Sequence, residues 1–152
     1  MKTVKLLLIL LAIASTTLYG CMRCNNNVIF TSKFVESFLA SYDFTMTDSL
    51  GNKVAEGQFR PKIFEDPDIT GFTKVFNVYN DRYKTILGAG GNFFGTLDEK
   101  NKKGFVNLNP KIADNNIFLR FSVTDNELNG TWEYSTMRGI VEKGVFKAVK
   151  QQ

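Results

Sequence analysis

Residues 117–135, IFLRFSVTDNELNGTWEYS, decide the fold. Ile117, Leu119, Phe121 and Val123 alternate strictly with Phe118, Arg120, Ser122 and Thr124. That is the period-2 signature of a strand with one face in a core and one in water. After the polar link Thr124-Asp125-Asn126-Glu127, the residues Leu128, Gly130, Trp132 and Tyr134 again share one face. Two strictly alternating runs joined by a short polar loop read as an antiparallel hairpin.

Working outward, the same grammar repeats. Tyr42, Phe44 and Met46 alternate with Asp43, Thr45 and Thr47, and Asp48-Ser49-Leu50-Gly51-Asn52 supplies turn chemistry. The run beyond places Ala55, Gly57 and Phe59 opposite Glu56, Gln58 and Arg60. Further strands are expected over Phe72–Tyr79, Asn92–Leu97, Phe105–Leu108 and Ile140–Val149, most of them separated by Gly, Asn or Asp clusters. The count is about eight, the number at which an antiparallel up-and-down sheet closes into a small barrel and loses its sticky edges. Thr31–Ala40 breaks the pattern. Phe34, Val35, Phe38 and Leu39 recur at helical spacing behind Thr31 or Ser32 as an N-cap, so a short helix or turn is expected to plug or flank the sheet. The expected class is therefore all-β, an antiparallel up-and-down barrel with one short N-terminal helix.

Over Ser41–Val149 this layout resembles the calycin-type barrels, the lipocalin and avidin group, and Gly130-Thr131-Trp132 is similar to their Gly-x-Trp element. The resemblance implies an interior filled by side chains or wide enough for one small apolar or aromatic ligand. With fourteen Phe and 13% aromatic residues in the chain, Phe93, Phe118, Phe121, Trp132 and Tyr134 are the candidate ligand-binding side chains, with Phe94 beside them. The alternative is that the rings simply fill the core. The domain would then be an envelope structural or protein-interaction module that works through its loops, Ile63–Thr70 and Asn80–Gly91.

The N-terminus gives an address. Lys2 and Lys5 precede the apolar run Leu6–Ala14, which is too short to span a bilayer needing roughly 20 apolar residues and fits a removable export signal. Leu18-Tyr19-Gly20-Cys21 resembles the bacterial lipobox, with the cut between Gly20 and Cys21. The resemblance, shared with small uncharacterised bacterial lipoproteins, implies a lipoprotein precursor: residues 1–20 a signal peptide, 21–40 a lipidated tether with the short helix or turn, 41–152 one barrel domain. Cys21 would carry a covalent diacylglycerol and an amide-linked acyl chain such as palmitate. Two or more chains anchor stably, at about 0.8 kcal/mol per buried methylene. Met22, where an Asp would favour the inner membrane, is similar to an outer-membrane or cell-surface sorting signal. The tether Met22–Asn27 extends at most about 20 Å at roughly 3.3–3.6 Å per residue, so the domain should lie close to the bilayer.

Cleavage also changes the composition. It leaves 132 of 152 residues, one domain's worth, and takes the formal net charge from +4 to +2. Lys100, Lys102 and Lys103 lie beside Asp98 and Glu99, so no clustered basic face points to nucleic acid. A lipidated Cys21 leaves Cys24 without an intrachain disulfide partner. The chain has no histidine, which removes the commonest general base and metal ligand. Gly88-Ala89-Gly90-Gly91 lacks the Lys-Ser/Thr of a phosphate loop and reads as a turn or strand bend. Glu65-Asp66-Pro67-Asp68 is an acidic, Pro-interrupted loop without the EF-hand pattern. The expectation is a non-catalytic protein with no metal and no cofactor besides the lipid, a carboxylate-based hydrolase being the minor alternative. Its partners would be the membrane and either a small hydrophobic ligand or an envelope protein.

Overall fold

The computed structural model of the chain describes residues 32–88, 90–111 and 113–152. Gly20, Cys21, Met22 and Cys24, with the signal and tether built on them, lie outside the described residues.

The alternating runs become eight antiparallel strands: β1 (Tyr42–Asp48), β2 (Lys53–Glu65), β3 (Asp68–Val78), β4 (Gly90–Asp98), β5 (Lys103–Asn107), β6 (Asn116–Val123), β7 (Glu127–Thr136) and β8 (Gly139–Lys150). Each pairs with the next, and β8 returns to β1 from Tyr42↔Lys150 to Asp48↔Gly144, closing the barrel. The residues of 117–134 that share the apolar face point inward. Ile117, Leu119, Phe121, Val123, Leu128, Trp132 and Tyr134 are all buried. Pro61, which cannot donate to a ladder, stands where the β2–β3 register slips between Pro61 and Ile63.

Two short helices close the barrel ends. The first, α1 (Lys33–Phe38), starts at Ser32, whose hydroxyl accepts from the Val35 N–H at 3.2 Å. It buries Val35 and Phe38. The Phe34 ring lies under Lys102 of the β4–β5 turn, and Lys150 Nζ reaches the Ser37 carbonyl at 3.3 Å, so α1 covers the end where the chain enters the barrel. The second, α2 (Asp81–Leu87), lies between β3 and β4 at the far end, capped by Asn80 and burying Tyr83 and Leu87.

Two loop expectations are corrected. Ile63–Thr70 is mostly strand, with only Asp66 and Pro67 turning between β2 and β3. Asn80–Gly91 contains α2 and the start of β4. The core cluster runs from Phe38 to Ala148 and every strand pairing lies between Tyr42 and Lys150, so residues 32–152 hold the interactions this body needs to fold by itself.

Candidate functional site

Of the aromatic candidates, Phe93, Phe121, Trp132 and Tyr134 point inward, and they fall into separate layers. In the layer nearer α1, Phe59 stacks on Phe93 with centroids 4.5 Å apart. It meets Phe121 and Phe146 edge-on at 6.0 and 6.2 Å, while Phe38 of α1 lies over Phe121 at 6.3 Å. In the far layer Tyr83 of α2 stands edge-on to both Trp132 and Tyr134, each at 5.6 Å. Phe118 is not among them. It is on the outer wall, stacked on Phe105 at 5.5 Å, as its place opposite Leu119 in the alternation requires. Phe94 also faces out and is 46% exposed.

The interior is packed. Phe59, Trp132, Leu97, Val106 and Ile117 each show 0% of their surface to a water-sized contact, from outside or from within. That leaves no room beside them for a ligand of several hundred Å³. The clefts open outward instead, among them a groove of about 440 Å³ on the β4–β7 wall that includes Thr96, Arg120, Ser122 and Thr131.

At the far end, α2 and the β7–β8 hairpin build a polar latch over the aromatic layer. Tyr83 is fully buried, and its hydroxyl donates to the Glu142 carboxylate. Arg82 Nη1 donates to the same oxygen at 3.3 Å and lays its guanidinium 5.3 Å from the centre of the Tyr134 ring. Burial, helped by the hydrogen bond to Glu142, pushes the Tyr83 phenol well above its ordinary value. Tyr134 donates to Asn115 Oδ1 at 2.7 Å, and Asp114 accepts the Met137 N–H at 2.7 Å. Around this latch runs a groove of about 460 Å³ lined by Arg82, Asp114, Thr136, Met137, Arg138 and Val141. Met137 and Leu50 stand 86% and 85% exposed at the same end, with Ile140 exposed beside the hairpin turn. A cationic and apolar rim over a rigid floor can hold a protein surface by shape, guanidinium pairing and methionine adaptability.

The latch residues Tyr83 and Glu142 are absent from the candidates read from sequence. A usable signal was present: Asn80 before Tyr83, Ile86 and Leu87 is an N-cap followed by apolar residues at helical spacing. The acidic residues Glu65, Asp66 and Asp68 are exposed around the β2–β3 turn. Among the described residues no group of three or more carboxylates or cysteines gathers closely enough to hold a metal ion.

No protein-family model matches the chain, and no curated protein does. Solved structures similar to it include a redesigned beta barrel, b11L5F_LGL, at 10% identity and a TM-score of 0.50, over 80% of this chain and 97% of that one. EF1p2_mFAP2b bound to DFHBI matches at 10% identity and a TM-score of 0.50, over 79% and 98%. The redesigned barrel mFAP1 bound to DFHBI matches at 15% identity and a TM-score of 0.46, over 79% and 100%. For the two at a TM-score of 0.50 the likeness is one of fold.

Proposed function

We propose that this chain is a lipid-anchored lipoprotein of the bacterial cell envelope, held at the outer membrane or cell surface through Cys21, whose filled barrel presents its far rim to an envelope protein. The observation that carries the choice of an interaction module over an interior ligand carrier is the packed core. Aromatic rings occupy the axis from Phe38 to Tyr83, and the exposed apolar side chains Met137, Leu50 and Ile140 lie on or beside the turns at the end away from α1. A tethered support can present a rim to a neighbour without freeing the lipid.

Two experiments test this. Labelled palmitate should enter the wild-type chain and not Cys21→Ser, which should also leave the membrane fraction; incorporation into the Ser variant would sink the anchor. A photo-crosslinking side chain at Met137 or Ile140 should give a discrete protein adduct in cells, while one at Lys147 on the barrel wall should not. Equal labelling from all three positions, or none from any, would overturn the rim as the recognition surface.

A second reading keeps a small hydrophobic ligand, and EF1p2_mFAP2b, a barrel of similar fold bound to DFHBI, favours it. In this chain such a ligand would require Phe59, Phe93 or the α1 plug to move. Saturable 1:1 binding of DFHBI to the wild-type protein would support this reading and displace the filled-module one.

A further inference from the structure

The outer wall of β2, β3 and β4 carries a set of cations that rest on aromatic rings. Among the described residues the ion pairs are Lys53–Glu56, Arg82–Glu142, Lys84–Asp81, Arg120–Glu133 and Lys147–Glu127. Across the barrel, on β6–β8, Arg120 and Lys147 have their own carboxylates and Lys143 has none within ion-pair distance among the described residues, while on β2 Lys53 is paired with Glu56. Arg60, Lys62 and Lys74 have none within ion-pair distance among the described residues, and they rest on rings instead. The Arg60 guanidinium lies 5.5 Å and Lys62 Nζ 4.8 Å from the Phe72 ring centre, and Lys74 Nζ lies 5.5 Å from that of Phe76. Arg60 donates through Nη2 to Gln58 at 2.7 Å, but its buried Nε has no partner. The register sets Phe72 opposite Arg60, and Phe94 opposite Thr70 on the adjoining strand. Phe76 is 51% exposed and Phe94 46%. The wall thus interleaves exposed rings with cations that have no carboxylate within ion-pair distance among the described residues.

We propose that this wall rests on an anionic lipid surface. Unmatched cations call for an external anion. Rings spread over adjoining strands of a convex wall suit insertion into a fluid headgroup layer, where aromatic and basic side chains anchor together. An acidic peptide adding as a strand could pair only with Arg60–Glu65 of β2 and Val75–Val78 of β3, the stretches bonded on one side, and would leave Phe72 and Phe94, which lie where both sides are bonded, uncovered. The contact adds a basic patch to the acyl anchor, the combination that makes membrane attachment stable. It extends the lipid-anchored reading and is tested apart from it, because residues 32–152 lack Cys21.

The fragment 32–152, checked for folding by the near-UV signal of buried Trp132, is mixed with vesicles of phosphatidylcholine alone or with one-third phosphatidylglycerol. Sedimentation with the anionic vesicles only, weakening with salt, is the expected result. The double variant Lys62→Glu/Lys74→Glu should bind at least about 25-fold more weakly, at about five-fold per cation near the surface. Lys143→Glu on the far wall should stay within about two-fold, because charges beyond a Debye length are screened. Phe76→Ser/Phe94→Ser, which keeps every charge, should also lose binding. The proposal is overturned by equal binding to neutral vesicles, by no binding to anionic ones, or by unchanged binding of the Lys double variant. Preference for soluble poly-glutamate over the vesicles would also overturn it, in favour of an acidic protein partner. Loss of palmitate labelling at Cys21 would leave all of these outcomes as they are.

Discussion

Phe59 on β2 and Phe93 on β4 lie face to face, their planes 5° apart, across β3. The strand between them carries Gly71, where an added Cβ would come within 2.5 Å of Phe93 Cζ and 2.2 Å of the Arg60 carbonyl. The stack exists because that position has no side chain. Removing one ring by Phe59→Ala should cost about 3–5 kcal/mol in urea unfolding, the usual penalty for a large cavity. The void would be apolar and dry, so benzene should raise the melting temperature of the variant and leave the wild type unmoved. A wild-type response to benzene would mean that the native core already has room.

Trp132 and Gly144 meet at the Thr47 carbonyl. The Trp132 Nε1–H donates to the Thr47 carbonyl at 2.7 Å, and a Cβ on Gly144 would fall 1.9 Å from that oxygen and 2.7 Å from Nε1. We expect Gly144→Ala to destabilise by about 1–3 kcal/mol through overpacking. Trp132→Phe should cost a similar amount, about 1–3 kcal/mol, by leaving the carbonyl unpaired. Because both changes disturb one contact, the double variant should fall short of their sum. Full additivity in urea titrations would show that the two sites act independently.

Alternation made most of the barrel legible. Where a strand has one wet and one dry face, as at 117–123 and 128–134, every inward residue was assigned by its period, including the outward side of Phe118 that the candidate ligand set ignored. Legibility ended where local pattern and tertiary demand part. Strands β2 and β3 run on to Glu65 and back from Asp68, well past their apolar stretch, with exposed Lys62, Ile63, Glu65 and Asp68. Ladder hydrogen bonds hold that segment, and of its side chains Ile69 is buried and Phe64 packs against the core, too few for a visible alternation. The helix α2 has seven residues, and its N-cap and three apolar positions follow directly on a strand, where the stretch Asn80–Gly91 reads as a loop. Tyr83 therefore looked like a loop tyrosine, although it caps the far aromatic layer. Nor does a sequence say whether rings line a space or fill it. That depended on Phe59, Phe93 and Phe121 meeting from three strands.

The tyrosines at the two ends set the response to alkali. Burial pushes the Tyr42 phenol up to about 12 and raises Tyr83 still more, the latter aided by its bond to Glu142. In the unfolded chain both ionise near 10. The unfolded state therefore loses protons first, and stability should fall as pH rises above about 10. Absorbance at 295 nm should show these two phenols titrating late or together with unfolding. Tyr83→Phe should lose stability less steeply in that range, at the cost of freeing Arg82 and Glu142 from the latch. If its alkaline profile matches the wild type, Tyr83 does not hold its proton in the folded state.

On the outer wall, Glu56 gathers three donors: Asn77 Nδ2 at 2.7 Å, the Tyr79 hydroxyl at 2.8 Å and Lys53 Nζ at 3.0 Å. Asn77 contributes most, then Tyr79 and Lys53, and together they lower the carboxyl from its ordinary 4.5 to about 2. The folded state thus favours the charged form, and the contribution is complete above about 4.5. As pH falls from 4.5 towards 2 the unfolded chain takes up the proton first, so stability drains away across that window. Glu56→Gln should keep the fold at neutral pH, because an amide oxygen can still accept from Asn77 and Tyr79. Its melting temperature should fall less than that of the wild type between pH 4.5 and 2. Parallel profiles would assign the acid loss to other carboxylates whose folded values are also depressed, Asp48, Asp81, Asp98 and Glu127. Salt separates the contributions further, since screening weakens the exposed Lys53 contact but leaves the neutral donors in place.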